Sequence, residues 1–270
     1  MSGAVVLVGC GNMGRAMLEG WLASGRLAPA DALVVEPAEA LRAKAAALGA
    51  TALADAGEIG KDVTPRLVVF AVKPQVVRDV IPAYARFKAS ATYVSVVAGT
   101  PIAAFEQLLG ADAAIIRCMP NTPAAIGKGM MVTFANPHVT AEATALVDGL
   151  LSASGEVTAI GEEGLLDAVT AVSGSGPAYV FHFIECMTAA GEAAGLPADK
   201  AKLLAMQTVY GAASLAQASD EEPGELRRQV TSPNGTTAAA LSVLMGEDRL
   251  KTLVTEAVLA ARDRAFELRG

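Results

Sequence analysis

Val5-Val6-Leu7-Val8-Gly9-Cys10-Gly11-Asn12-Met13-Gly14 decides how this chain reads. Four apolar, mostly β-branched residues run straight into a glycine turn, and Arg15 to Leu22 then read as a helix. In such a strand–turn–helix unit Gly9 permits the sharp turn. Gly11 lets a pyrophosphate approach the backbone, and Gly14 lets the helix pack closely on the strand. The helix start adds free N–H groups and a positive dipole end. Small residues are common in turns, so the pattern alone says little. Its place between a buried-type strand and a helix points to a bound dinucleotide. Gly9, Cys10, Gly11, Asn12, Met13 and Gly14 are therefore the first expected cofactor contacts.

The alternation continues outward from this unit. Ala32 to Val35 reads as a second strand, and Ala38 to Leu48 as a helix ended by Gly49. Leu67 to Val72, Tyr93 to Val97 and Ala113 to Met119 are continuous apolar runs, as expected of parallel strands covered on both faces. Met130 to Phe134 and Val157 to Ile160 read as late, antiparallel strands around a helix over Ala141 to Leu151. The pattern predicts a doubly wound α/β sheet of the Rossmann type over residues 1–161.

From Glu162 no convincing strand follows. Leu165 to Val172, Ala178 to Ala194, Ala198 to Ala218, Gly224 to Val230, Thr237 to Met245 and Leu250 to Glu267 read as helices. Residues 162–270 thus form an all-α second domain. Its helices are apolar nearly all round and must be buried. A domain of about a hundred residues has too little interior for them, which points to intertwining with a second copy.

Composition narrows the function classes. The chain has 270 residues and a net charge of −7, with no basic patch, so a nucleic-acid partner is not expected. Mean hydropathy is positive, from Ala-rich helices. No apolar run reaches spanning length without charges, Gly or Pro, so no membrane association is expected. The first residues read as a strand, and no signal peptide is expected. Cys10, Cys118 and Cys186 are too far apart for a disulfide framework or a zinc site, which suits a reducing cytoplasm. His138 reads as a surface-turn residue and His182 as a satisfied core residue within an apolar helix. Two histidines leave a metal site without ligands, so no metal is expected. Ser173-Gly174-Ser175-Gly176 does not fit a nucleophile elbow.

Three further segments carry chemistry. Glu36 ends the second strand about twenty residues beyond the glycine turn, where a carboxylate accepts from adenosine ribose hydroxyls and repels a 2′-phosphate. It favours NADH, with NADPH left open. Ala71-Val72-Lys73-Pro74 and Met119-Pro120-Asn121 end two other strands on the ligand-binding side of the sheet. In the second, flanking prolines fix a loop that leaves Asn121 free to hydrogen-bond a nicotinamide. Thr231-Ser232-Pro233-Asn234-Gly235-Thr236-Thr237 is a hydroxyl-rich, charge-free island at a helix start. Such a loop binds a carboxylate through amides and hydroxyls, although an elaborate N-cap is the plainer alternative.

On these motifs, with Ser173 to Phe181, the chain resembles pyrroline-5-carboxylate reductase from end to end. The resemblance implies NAD(P)H-dependent reduction of 1-pyrroline-5-carboxylate to L-proline, the last step of proline synthesis. It also implies a C-terminal dimerisation domain, homodimers with an active site built from both subunits, and rings of dimers such as decamers. By the same resemblance Thr237 hydrogen-bonds the ring nitrogen, while Ser232, Gly235, Thr236 and the Thr237 amide hold the substrate carboxylate. Asn234 stands where the family usually has Gly; Asn tolerates positive φ, so the loop shape should survive. Rival readings are a related imine or hydroxy-acid oxidoreductase, and a non-catalytic dinucleotide sensor. No Lys lies between Glu162 and Gly195 to act as a hydroxy-acid enzyme's proton donor, and no output module for a sensor is visible.

Overall fold

The computed structural model describes residues 5–269. They divide into two compact units, one of residues 5–174 and 261–269, the other of residues 175–260. The first unit thus runs beyond Gly161 to Gly174 and takes back the end of the chain.

The first unit is built on eight strands: β1 Val5–Val8, β2 Ala32–Val35, β3 Thr51–Leu53, β4 Leu67–Phe70, β5 Thr92–Ser95, β6 Ile115–Met119, β7 Gly129–Ala135 and β8 Gly155–Ala159. They form one sheet in the order β3-β2-β1-β4-β5-β6-β7-β8. The first six strands in chain order are mutually parallel; β7 joins β6 antiparallel, and β8 pairs parallel with β7. Both late strands therefore run against the main sheet, as the sequence predicts. The three-residue edge strand β3 and a helix over Ile102–Leu109 escape the sequence reading.

Every residue of β1 is buried, because both faces of the sheet are covered. Val6 and Val8 enter one core with Phe70, Tyr93 and Phe105. Val5 and Leu7 enter the other with Met17, Trp21 and Val69. This period-2 division explains why the strand reads as continuously apolar. The cover comes from helices α1 Asn12–Ala23, α2 Glu39–Ala47, α3 Val77–Val80, α4 Ile102–Leu109 and α5 Ala141–Leu151. A short helix, α6 Leu166–Val169, continues into a π turn over Thr170–Gly174. Val8 is in register with Val35 on one side and Phe70 on the other. Strand order reverses there, so the glycine turn emerges at the switch point of the sheet, where open α/β sheets bind ligands.

The second unit holds α7 Gly176–Ala193, α8 Ala198–Ala218, α9 Pro223–Gln229, α10 Thr236–Met245 and most of α11 Arg249–Glu267. All lie within a residue or two of their sequence-read spans. Gly195, at φ +99°, makes the turn between α7 and α8. Their packing is close enough that a Cβ on Gly191 would meet the Ala201 methyl at 3.1 Å. Much apolar surface is left uncovered in the single chain, including Leu203, Tyr210, Leu215, Val243 and Leu253. His182 is not a core residue: it lies exposed on α7, its Nδ1 3.0 Å from Glu185 Oε2. The apolar neighbours that suggested burial belong to the same uncovered surface.

Candidate functional site

Each glycine of the first turn has its own geometric reason. Gly9 has φ +90°, and a Cβ there would lie 2.7 Å from the Ala71 carbonyl oxygen. A Cβ on Gly14 would approach the Gly9 oxygen to 2.3 Å, so the helix could not sit where it does. A Cβ on Gly11 would meet nothing within 4 Å. Packing therefore does not demand glycine at position 11; the space in front of it suits a ligand. Gly11 is also the N-cap of α1 and offers no side-chain cap, so the first-turn amides have no such acceptor. The donor set fits a pyrophosphate.

Beside this turn lies a cavity of about 500 Å³. Gly9, Gly11, Glu36, Ala71, Val72 and Lys73 line it, so three segments singled out in the sequence converge on one place: the turn, the end of β2 and the end of β4. Tyr84 lies in the same wall, held by an edge contact with Phe70 at 5.5 Å and by the Tyr93 hydroxyl, which donates to the Tyr84 carbonyl at 2.9 Å. Burial pushes the phenols of Tyr84 and Tyr93 well above their ordinary range.

Glu36 is only 7 % exposed, and its carboxylate is already engaged. Oε2 accepts the Cys10 amide at 2.7 Å and Oε1 the Ala38 amide at 2.9 Å. A carboxylate has further lone pairs, so acceptance from a ribose remains open to it. Arg42 turns its guanidinium to the carbonyls of Glu36 and Pro37, each at 2.9 Å. Burial, reinforced by the Glu36 charge, pushes the Cys10 thiol up and keeps it protonated. Asp55 also lines the cavity, and the sequence reading missed it. The signal was an acidic residue just past a strand, but β3 is too short to be read as one.

Asn121 is not free, contrary to the sequence expectation. Its Oδ1 accepts the Met130 amide at 2.9 Å, and its Nδ2 donates to the Ser173 carbonyl at 3.0 Å. Both ends of the amide are spent in joining the loop after β6 to β7 and to the π turn. Met119 takes part in the same joint: a Cβ on Gly174 would meet its methyl at 2.6 Å.

In the second unit, the island from Thr231 to Thr237 folds as a turn, with the Gly235 amide donating to the Ser232 carbonyl at 3.1 Å. Asn234 takes φ +59°, a left-handed conformation that Asn tolerates better than most residues. Gly235 is the N-cap of α10, again without a side-chain cap. Among the described residues the hydroxyls of Ser232, Thr236 and Thr237 make no hydrogen bond, whereas Thr231 donates to the Arg227 carbonyl at 2.6 Å. Free amides and free hydroxyls at a helix start, without a charged side chain, can hold a small carboxylate.

Comparison with known proteins accounts for both units. Residues 163–268 match the model of pyrroline-5-carboxylate reductase dimerisation, and residues 4–99 match that of NADP oxidoreductase, coenzyme F420-dependent. The pyrroline-5-carboxylate reductase of Pseudomonas aeruginosa is 40 % identical over 98 % of this chain and 96 % of its own length. The chain belongs to the pyrroline-5-carboxylate reductase family. The solved member from Coxiella burnetii superposes with a TM-score of 0.93 at 32 % identity, over 99 % of both chains. A second, from Plasmodium falciparum with NADP bound, gives 0.84 at 27 % identity over 99 % of this chain and 98 % of that one. Among the described residues, no helix is long and apolar enough to cross a membrane, and no group of His, Cys, Asp and Glu is placed to hold a metal ion.

Proposed function

We propose that this chain reduces 1-pyrroline-5-carboxylate to L-proline with a reduced nicotinamide dinucleotide, the last step of proline biosynthesis. Membership of the family supports the reaction, and the open face of Gly11 carries the cofactor assignment. When bound, the nicotinamide supplies the hydride for the imine carbon.

The residues of this chain bind and orient. Gly9 to Gly14 cradle the pyrophosphate, with Glu36 at the adenosine ribose. Ala71 to Pro74 and Met119 to Asn121 border the nicotinamide half, Asn121 through its backbone and its joint rather than a free side chain. Ser232, Asn234, Gly235 and Thr236 shape the carboxylate site with the Thr237 amide. The Thr237 hydroxyl accepts from the protonated ring nitrogen, which keeps the better hydride acceptor in place. Residues 1–161 serve as the dinucleotide domain and 162–270 as the substrate and dimerisation domain. NADH is the favoured donor, because Glu36 stands buried at the end of β2 with its carboxylate on two backbone amides and, among the described residues, on no cation. The apolar helices support a homodimer, assembled further into a ring such as a decamer. Three free cysteines suit the cytoplasm.

The test is to mix the protein with pyrroline-5-carboxylate and either NADH or NADPH. Absorbance loss at the reduced nicotinamide band is followed, and L-proline is assayed as product. Turnover with proline formed, faster with NADH, is expected. Absence of proline with both donors would overturn the assignment.

A further inference from the structure

We propose that Asp55 is a second specificity-determining carboxylate, acting with Glu36 to exclude a phosphate from the 2′-oxygen of the adenosine ribose. The proposal rests on the reading of a nicotinamide dinucleotide in the cavity beside Gly11, with NADH as the favoured form.

Backbone pairing brings the two acids together. β2 and β3 run parallel with Val35 opposite Leu53, and the Glu36 amide donates to the Leu53 carbonyl at 2.9 Å. Glu36 and Asp55 therefore leave neighbouring strands at the carboxyl edge of the sheet, Asp55 one position beyond the residue opposite Glu36, and both line the same cavity. Asp55 has a local duty as well: its Oδ1 accepts the Gly57 amide at 2.7 Å and caps the turn Ala56–Glu58. An Asn or Ser would cap equally well. The charge is surplus to that duty, and Oδ2 accepts no hydrogen bond from the described residues. Among the described residues, no Lys or Arg forms an ion pair with either acid.

The charge balance of the cavity points the same way. Its lining carries three carboxylates, Glu36, Asp55 and Asp79, against one ammonium, Lys73. Asp79 is exposed on α3, and Lys73 follows β4. Arg42, the guanidinium nearest Glu36 along the chain, is turned to backbone carbonyls and is absent from the lining. A ribose diol has two hydroxyls to donate; Glu36 already holds two amides, whereas Asp55 Oδ2 is open. A 2′-phosphate has no donor to offer and would add a near-double negative charge beside two carboxylates that have no ion-pair partner among the described residues.

The test is calorimetric titration of NADH and of NADPH into the wild type, Asp55→Asn, Asp55→Ser and Asp79→Asn. Asp55→Asn keeps the cap and the volume, and Asp55→Ser keeps a capping oxygen should the first variant misfold. The wild type should favour NADH. Removing the Asp55 charge should narrow the ratio of the two dissociation constants by about tenfold, mainly by tightening NADPH. Asp79→Asn should narrow it much less. An unchanged ratio in both Asp55 variants, with the wild type still favouring NADH, would overturn the role of Asp55 and leave the cofactor reading intact. An equal shift in Asp79→Asn would also overturn it, by showing a diffuse field rather than a local contact. A wild type that favours NADPH, or binds neither, would instead sink the underlying reading.

Discussion

Glu36 joins two turns: its Oε2 holds the Cys10 amide at 2.7 Å while its Oε1 holds the Ala38 amide at 2.9 Å. One side chain thus ties the glycine turn after β1 to the turn that opens α2. Specificity and architecture share the same carboxylate. Glu36→Ser should shift preference toward NADPH, yet weaken both cofactors, because two amides lose their acceptor at roughly 1–3 kcal/mol for each one left unpaired. Titration of the variant with both nucleotides checks this. NADH binding as tight as in the wild type would contradict the tie.

Asn121 spends both ends of its amide, on Met130 and on Ser173. Asn121→Ala should lower stability by about 1–3 kcal/mol, seen as a lower urea midpoint. Asn121→Asp should do no better, because a carboxylate oxygen cannot donate to the Ser173 carbonyl. An unchanged midpoint in both variants would show that the joint contributes nothing.

The helical unit leaves Tyr210 68 % and Leu253 64 % exposed in the single chain. Apolar surface on this scale marks an interface. Sedimentation at micromolar concentration should show a dimer or a larger assembly. Tyr210→Glu with Leu253→Asp should shift it toward monomer. A wild-type monomer would contradict the expectation.

Burial lifts the Cys118 thiol from 9.0 to about 12, with a smaller push from Asp148. A folded-state value above the unfolded one means stability is complete below pH 9 and lost as pH rises toward 12. One such thiol contributes a slope of about 1.4 kcal/mol per pH unit in that window. Cys118→Ala should therefore flatten the alkaline fall in stability, while Tyr84 and Tyr93, also raised by burial, sustain the remainder. Urea midpoints between pH 8 and pH 11 measure it. Parallel curves for variant and wild type would refute it.

What the sequence discloses here is what period and local sterics encode. The buried strands are legible because covering both faces forces unbroken apolar runs, as at Val5 to Val8. The glycine turn is legible because Gly9 and Gly14 answer to neighbours a few residues away or on the next strand. Asn121 and Asp55 are not legible in the same way. The partners of Asn121 lie at Met130 and Ser173, and nothing in the spacing of Pro120 to Pro123 announces them. Asp55 gains meaning only once β3, three residues long, is seen beside β2. His182 misleads because its apolar neighbours belong to a surface uncovered in one chain, and sequence alone cannot tell that surface from a core.

The most direct test of the account is Thr237→Val, which keeps the branched volume and removes only the hydroxyl. Steady-state rates with pyrroline-5-carboxylate, and titration with NADH, would be measured side by side. The account predicts a loss of kcat/KM worth roughly 1–3 kcal/mol of transition-state stabilisation, with NADH affinity unchanged. Full activity in the folded variant would contradict it and reduce the island from Thr231 to Thr237 to an anion-binding helix cap.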